Sequence, residues 1–394
     1  MVPLDTPLEI AACRLFEVAV PLLEPFRISG GAMLVRRSLV VEVTDASGAV
    51  GYGESAPFEE PFYSEETLSS AAACIVQHLF PRIAGRTFPG LEAAAGALEH
   101  GLRGNRMARA GVETALWDLV CAKAGVSLRS LIGAAMRRVG VLEEQVTSLP
   151  HVEVGAALGI PEDRQPRTLA DRSRRAIEQG YKRVKIKVAP GWDVTAVQAV
   201  RRAARELGHE VRVWADANGA YSRELDIESL RALDREQLVM LEQPLPPDDV
   251  LGMIRLSKEL RTPICLDESL TDDRAAQLFL EYDGPKVWNI KVQRVGGLWE
   301  SVKLYKRALD ANVRLWAGSM PETGVGLHAV LCLASFKGFV YPSDAEPSAR
   351  WYAPGTDLVE WRMDDGRIEV SDAPGLCTMQ VKEKLEQIGR LVAG

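Results

Sequence analysis

The 394-residue sequence lacks several features that would assign it to common classes of protein. No hydrophobic run reaches the about 18–20 residues of a membrane span, and the first residues lack the pattern of a secretory signal. The formal net charge of −7 disfavours a nucleic-acid or membrane-surface partner. Neither GxGxxG nor GxxxxGK(S/T) is present, which disfavours a dinucleotide-binding or P-loop protein. We therefore expect a cytoplasmic protein that binds no nucleic acid and no membrane.

Cysteine and histidine are scarce and scattered. The six cysteines form no CxxC pair, so a zinc site is disfavoured and reduced core cysteines are expected. The five histidines are equally dispersed, and they give no support to a histidine metal site or a Ser–His–Asp triad. Hydrophobic residues make up 47% of the chain and charged residues 26%, which is typical of a folded globular protein.

The first part of the chain, up to residue 125, is typical of an α+β domain. Alternating apolar residues predict strands at 9–20, 38–43 and 50–54, with a turn at 45–48. Apolar residues at three- and four-residue spacing then predict helices at 91–100 and 106–124.

Short β-branched runs alternate with helical segments in the middle of the chain. The predicted strands are 152–158, 183–188, 211–215, 238–241, 263–266, 287–290, 313–316 and a weaker one near 339–341. The predicted helices between them include 169–179, 196–207 and 298–311. Such repeated units predict a parallel sheet closed into a (β/α)₈ barrel. The tail from about residue 345 is expected to fold back on the first domain and to end in a helix at 381–391.

Three acidic residues occupy equivalent positions in successive strand–helix units. Asp216, Glu242 and Asp267 end the third, fourth and fifth predicted strands, at intervals of 26 and 25 residues. A single acid after a strand is commonly a helix cap, but three in register indicate a shared site. Clustered carboxylates repel one another unless a cation holds them, and all-oxygen ligation suits Mg²⁺ or Mn²⁺. The acids therefore predict a divalent-metal site at the mouth of the barrel, where active sites of this fold lie.

Lysines flank this predicted metal site. Lys185 and Lys187 share the inward face of the second strand, and Lys291 ends the sixth, which lies opposite the second in an eight-stranded barrel. A divalent ion that binds a substrate carboxylate stabilises the enediolate formed when the α-proton leaves. We interpret Lys187 and Lys291 as acid/base groups on opposite faces of the α-carbon, with Lys185 as a neighbouring positive charge.

The motifs KxK, DAN, EQP, DES and NIK follow one another in the order found in the enolase superfamily, which the chain resembles over nearly its whole length. Within the muconate-lactonising subgroup, KIKVAPGWDV, TPICLDES, NIKVQRVGG and ETGVG are most similar to the o-succinylbenzoate synthase and N-succinylamino acid racemase group. The resemblance implies an α+β capping domain over residues 1–135 and a modified (β/α)₇β barrel over 136–344. Residues 345–394 would return to the capping domain and complete it. It also implies Mg²⁺ or Mn²⁺, a small carboxylate substrate and a homo-oligomer.

The resemblance also implies roles for individual residues. The implied metal ligands are Asp216, Glu242 and Asp267, and the catalytic lysines are Lys185, Lys187 and Lys291. Asn218, Glu268 and Asn289 resemble positions that support them. The implied substrate-facing residues are Arg27, Tyr63, Ser319, Met320, Glu322, Glu346 and Ser348.

Three substrate-facing loops depart from the pattern of that group. SMPE at 319–322 replaces a GMLE-like stretch, Val292 and Gln293 replace Pro-Gly, and DAEPS at 344–348 only approximates DxSxS. The carboxylate of Glu346 could repel an acyl carboxylate or receive a cationic group. A lyase or isomerase is predicted, acting as an o-succinylbenzoate synthase, an N-acylamino acid racemase, or both. The alternatives are a dipeptide epimerase and a muconate cycloisomerase. A non-catalytic binding protein is disfavoured because all six charged residues are present.

Overall fold

The computed structural model describes residues 3–28, 31–376 and 378–394. The strands, in chain order, are β1 Leu8–Arg27, β2 Ala32–Asp45, β3 Val50–Ser55, β4 Thr87–Phe88, β5 His151–Glu153, β6 Ala156–Leu158, β7 Arg183–Lys187, β8 Arg212–Asp216, β9 Leu241–Glu242, β10 Ile264–Leu266, β11 Val287–Ile290, β12 Arg314–Ala317, β13 Met363–Asp364, β14 Arg367–Glu369 and β15 Arg390–Ala393.

The α-helices, again in chain order, are α1 Leu68–Cys74, α2 Phe80–Ile83, α3 Leu91–Glu99, α4 Arg106–Ala124, α5 Leu128–Arg138, α6 Pro166–Glu178, α7 Val194–Glu206, α8 Arg223–Arg235, α9 Val250–Glu259, α10 Asp273–Glu281, α11 Val292–Val295, α12 Leu298–Asp310, α13 Gly324–Ala334, α14 Ser348–Trp351 and α15 Thr378–Ile388. Short 3₁₀ turns cover Pro3–Asp5 and Glu143–Gln145, and a π turn covers Ile75–Leu79. Among the described residues, no helix is both long enough and apolar enough to cross a membrane.

Both ends of the chain build the capping domain. Its antiparallel sheet has the order β15–β1–β2–β3, with β4 paired to β1. The last strand pairs with the first, placing Ala393 opposite Leu15. Helix α4, predicted over the same residues that the structure shows, packs against β2 and β3. The tail therefore completes the capping sheet.

The middle of the chain forms a curled parallel sheet in the order β6–β7–β8–β9–β10–β11–β12. Residues 339–343 span the gap between its two edges. The Val340 amide donates to the Leu315 carbonyl of β12 at 2.9 Å, and the amide of Gly155, directly before β6, donates to the Ser343 carbonyl at 2.9 Å. The predicted barrel is confirmed, with isolated bridges at Phe339 and Ser343 in place of a full eighth strand.

Two predicted elements differ from the structure. The strand expected at 152–158 is divided: β5 pairs with β14, and only β6 joins the barrel sheet. Between them, Gly155 leaves room for the Arg183 side chain, whose Nε would lie 2.0 Å from an added Cβ. The terminal helix ends at Ile388 rather than 391, because the next residues form β15 along the edge of β1. The domain boundaries at 135 and 344 stay a prediction.

A layer of large side chains fills the barrel below its carboxyl-terminal mouth. This layer comprises Trp214, Met240, Cys265, Val287 and Trp316. The first three precede Asp216, Glu242 and Asp267 by two residues, which is the repeat that returns a strand to the same face. The acids therefore stand on a packed floor rather than in an open channel.

Candidate active site

Three buried acids meet at the mouth of the barrel. Asp216 ends β8, Glu242 ends β9, and Asp267 directly follows β10. One carboxylate oxygen from each lies within 4.8 Å of the others. All three residues have no exposed surface. The spacing of about one strand–helix unit, seen in the sequence, thus brings the three carboxylates together.

Two lysines of β7 approach the acids from one side. The Lys185 ammonium lies 3.1 Å from Glu242 Oε2 and 3.2 Å from Asp216 Oδ2. The Lys187 ammonium donates to Asp216 Oδ2 at 2.5 Å and to Asn218 Oδ1 at 2.8 Å. Both lysines therefore project from the same face of the strand.

A third lysine approaches from the opposite side. Lys291, immediately after β11, donates to Asp267 Oδ2 at 2.9 Å and to the Tyr63 hydroxyl at 2.9 Å. The Arg294 guanidinium donates to the other oxygen of Asp267. Strands β7 and β11 are four positions apart in the sheet order, so their lysines face each other across the closed barrel.

The charges of the site shift the pKa values of its members. Burial lowers the pKa of Lys185, but the Asp344, Glu242 and Asp216 carboxylates outweigh it and raise that pKa well above its ordinary value. Burial likewise lowers the pKa of Lys291, and Asp267 raises it beyond its usual range. Burial and the Asp216 charge raise the pKa of Glu242 well above normal. The neighbouring cations outweigh burial at Asp216 and Asp267 and lower the pKa of both, but they do not outweigh burial and repulsion at Glu242.

The donor set fits a hard divalent cation. The three buried acids offer only carboxylate oxygens, which are the ligands that Mg²⁺ and Mn²⁺ prefer. Neighbouring side chains hold these acids in place. Asn289 donates to Glu242 Oε1 at 3.0 Å and to Asp267 Oδ1 at 3.2 Å. The side-chain Oδ1 of Asn289 is buried without a hydrogen-bond partner among the described residues.

The supporting residues expected from the sequence lie in this network. Asn218 accepts from Lys187 and donates to Glu268 Oε1 at 2.8 Å. Burial, and then the Asp267 charge, raise the pKa of Glu268 to about 7. Asn218, Glu268 and Asn289 therefore orient the lysines and acids through direct hydrogen bonds or charge.

Gly318, which follows β12, leaves the space that Asn289 and Lys291 occupy. An added Cβ would lie 2.5 Å from Asn289 Oδ1 and 2.9 Å from Lys291 Cε. Gly318→Ala should therefore displace both side chains and lower kcat about 100-fold in a folded protein, because small misplacements are costly in catalysis. Steady-state kinetics and circular dichroism would measure this.

Gly96→Ala is the matched control. It lies inside α3, where an added Cβ meets nothing within 4 Å. We expect unchanged activity and about 0.5–1 kcal/mol of added stability. Wild-type turnover in Gly318→Ala would contradict the proposed crowding.

A small cavity of about 40 Å³ opens above the acids and lysines. The capping domain covers it with Phe26, Ile28, Phe58 and Tyr63. On the barrel side it is lined by Lys185, Lys187, Asn218, Lys291, Ser319, Met320, Asp344 and Glu346, among others. One water needs at least about 10–15 Å³ of such space, so the cavity as it stands holds only a few waters.

Three of the predicted substrate-facing residues do not line this cavity. Arg27 forms an exposed ion pair with Glu162 at 3.1 Å. Ser348 accepts through its hydroxyl from the Trp361 amide at 2.9 Å. Glu322 accepts from the Met320 amide at 2.9 Å, behind the cavity wall. Tyr63, Ser319, Met320 and Glu346 do line the cavity.

Glu322 should make stability depend on pH. Burial, and then the nearby Glu54 carboxylate, raise the pKa of Glu322 to about 7, while Arg36 opposes the shift. Between about pH 4.5 and 7 the folded state holds a proton that the unfolded state has lost, so this group's stabilisation declines as pH rises. Glu322→Gln should therefore gain up to about 3 kcal/mol over the native protein at pH 8, and little at pH 4.5.

Urea unfolding of both proteins at the two pH values would measure the change, with the exposed Glu383→Gln as the control. A difference between Glu322→Gln and the native protein that stays constant with pH would count against the shift.

Sequence reasoning overlooked two residues of the site. Arg183 lies in phase with Lys185 on β7, so the same two-residue period could have revealed it. It packs 4.2 Å from the Trp214 ring centroid and pairs with Asp344 at 2.5 Å. Arg294 lies in the short helix α11, and no local pattern predicts its contact with Asp267.

Acids at the ends of three parallel strands, opposed lysines and an overlying cap define a barrel enzyme with a capping domain. The chain belongs to the enolase superfamily. Residues 10–133 match the mandelate racemase/muconate lactonizing enzyme N-terminal domain, and 168–383 match the enolase C-terminal domain-like family. Enzymes of this superfamily use a divalent metal and small carboxylate substrates. The predicted family and enzyme class are confirmed.

Curated relatives cover almost the whole chain. An o-succinylbenzoate synthase from Bacillus subtilis is 34% identical over 94% of both chains. An N-succinylamino acid racemase from Thermus thermophilus is 36% identical over 94% of both chains. The crystal structure of an enolase-superfamily member from Listeria innocua is 31% identical, with a TM-score of 0.84 over 97% of this chain and 98% of that one.

Proposed function

We propose that this protein removes the proton α to the carboxylate of a small substrate, with Mg²⁺ or Mn²⁺ held by Asp216, Glu242 and Asp267. The proximity of these three buried acids supports the ligand set. Bound there, the cation would supply positive charge next to the substrate carboxylate. The proton itself is moved by the lysines of this chain.

The observation that carries the proposal is the opposed placement of Lys187 and Lys291. Both ammonium groups border the cavity, and they contact different acids on either side of it. After deprotonation, one Nζ can accept the α-proton while the other returns a proton to the opposite face. Lys185 is paired with three carboxylates. It therefore keeps its positive charge and holds those carboxylates in position rather than exchanging a proton.

Two opposed lysines suit racemisation of an N-succinylamino acid, and the same lysines can serve dehydration to o-succinylbenzoate, in which one of them acts as the base. The relatives carry both names, which supports proposing both reactions for this chain.

The proposal is tested by incubating the protein, Mg²⁺ and N-succinylamino acids in D₂O and following α-deuterium by NMR. A parallel assay supplies the dehydration substrate of o-succinylbenzoate synthesis. Deuterium incorporation with inversion, or formation of the aromatic product, is expected; neither event with any substrate would refute the proposal.

The contacts of Asp344 and Glu346, which follow the bridge at Ser343, disfavour dipeptide epimerisation. Asp344 is paired with Arg183 and, at 2.5 Å, with Lys185. Glu346 lies 3.4 Å from the Arg350 guanidinium. Neither carboxylate is therefore free to receive a substrate ammonium group. The homo-oligomer and the cytoplasmic location stay predictions.

A further inference from the structure

A second and larger cavity lies beside the first barrel strand. It has a volume of about 650 Å³, within the range of pockets that hold drug-sized ligands. Its apolar walls include Leu158, Ala176, Tyr181 and Trp361. The cavity is therefore large enough for an organic molecule with a nonpolar body.

The wall of the catalytic site separates the two cavities. Ala156 and Leu158 of β6 face the larger cavity, whereas Ala157 between them faces the catalytic one. Likewise Arg350 borders the larger cavity, and its neighbour Trp351 borders the catalytic one. This alternation places the larger cavity behind the active site rather than within it.

Four arginines line the larger cavity: Arg172, Arg175, Arg350 and Arg362. Two glutamates, Glu24 and Glu360, leave an excess of two positive charges in the lining. The side chains of Arg175 and Arg362 are exposed and form no hydrogen bond or ion pair with any residue that the structure describes, whereas the charge of the half-buried Arg172 acts on the Asp163 carboxylate. These arginines therefore leave guanidinium donors available at the border of the cavity.

Arg350 joins the two cavities. Its Nε lies 3.4 Å from Glu346 Oε1, and its guanidinium stacks 4.7 Å from the Trp351 ring centroid. Glu346 and Trp351 both line the catalytic cavity. A negative group in the larger cavity would compete with Glu346 for the same guanidinium.

We propose that the larger cavity binds a small organic anion, a carboxylate or phosphate on a nonpolar body, that pairs with Arg175 and Arg362 and draws Arg350 away from Glu346. Planar guanidinium groups suit both acids, because each can accept two parallel hydrogen bonds.

Calorimetric titration with phenyl phosphate, benzoate and inorganic phosphate, at constant ionic strength, tests the binding. We expect saturable binding of one equivalent of phenyl phosphate or benzoate. The double variant Arg175→Ala/Arg362→Ala should bind about tenfold more weakly or worse, because it loses two charge-assisted contacts. Arg167→Ala, an exposed arginine on the same helix that does not line the cavity, is the matched control and should bind normally.

The three probes separate a preference for phosphate from one for carboxylate. Anions that bind at the catalytic lysines would be unaffected by the double variant. Equal affinity of the double variant and the native protein, or no saturable binding by the native protein, would overturn the proposal. No substrate is present, so this result does not depend on the proposed reaction.

Glu346→Gln tests the link between the cavities. Removing the competing carboxylate should free Arg350 and tighten binding of the preferred probe several-fold, by reciprocal coupling. Unchanged affinity in Glu346→Gln would show that Arg350 does not couple the two cavities.

Discussion

Lys187→Ala and Lys291→Ala should each abolish racemisation, while each retains exchange of the α-proton of only one enantiomer with solvent. The reason is geometric: the two ammonium groups approach the cavity from β7 and from the end of β11, on opposite sides of the acids. Each lysine therefore reaches one face of the α-carbon. A positioned acid or base contributes about 10²–10⁴-fold, so the rate of the missing half-reaction should decline by that factor.

The measurement is deuterium incorporation into each pure enantiomer of an N-succinylamino acid, followed by NMR and polarimetry. Lys382→Ala removes an exposed lysine of α15 and should behave as the native protein. If both active-site variants lost exchange with the same enantiomer only, the lysines would share one face and the two-base proposal would be wrong.

Chelation of divalent metal should remove activity, and added Mg²⁺ should restore it and stabilise the fold. A ligand present at 100 times its dissociation constant stabilises a protein that binds it only when folded by about 2.7 kcal/mol. Glu242→Gln should lose most of this stabilisation, because it removes one of the three carboxylates that lie within 4.8 Å of one another.

The metal-free form of Glu242→Gln should remain folded, since burial and the Asp216 charge already disfavour the charged form of Glu242 and a neutral amide of the same size replaces it. Thermal unfolding with EDTA and with increasing Mg²⁺ measures both effects. The control is Glu210→Gln, which alters an exposed acid outside the site. A magnesium response of Glu242→Gln equal to that of the native protein would exclude the proposed ligand set.

Local patterns predicted much of the fold. Helix α4 and strand β11 have the bounds that the sequence predicted, because apolar periodicity and β-branched runs act within a few turns of chain. The eighth strand was less distinct in the sequence, and only bridges at Phe339 and Ser343 form there. The predicted terminal helix was too long at its C-terminal end. Its last residues belong instead to β15, which pairs with β1 more than 370 positions earlier in the chain.

The sequence by itself determined which charged groups meet at the candidate active site. Acids and lysines recur in the sequence at intervals of about one strand–helix unit. Because the carboxyl ends of all barrel strands meet at one mouth, residues at this interval lie close together there. Tertiary structure alone decided the partners of these groups. It brought Tyr63 from the capping domain to Lys291, tied Asp344 to Arg183, and set Arg350 between two cavities. Such contacts join residues far apart in the chain, and their geometry depends on how the cap docks and the barrel closes, which no local pattern encodes.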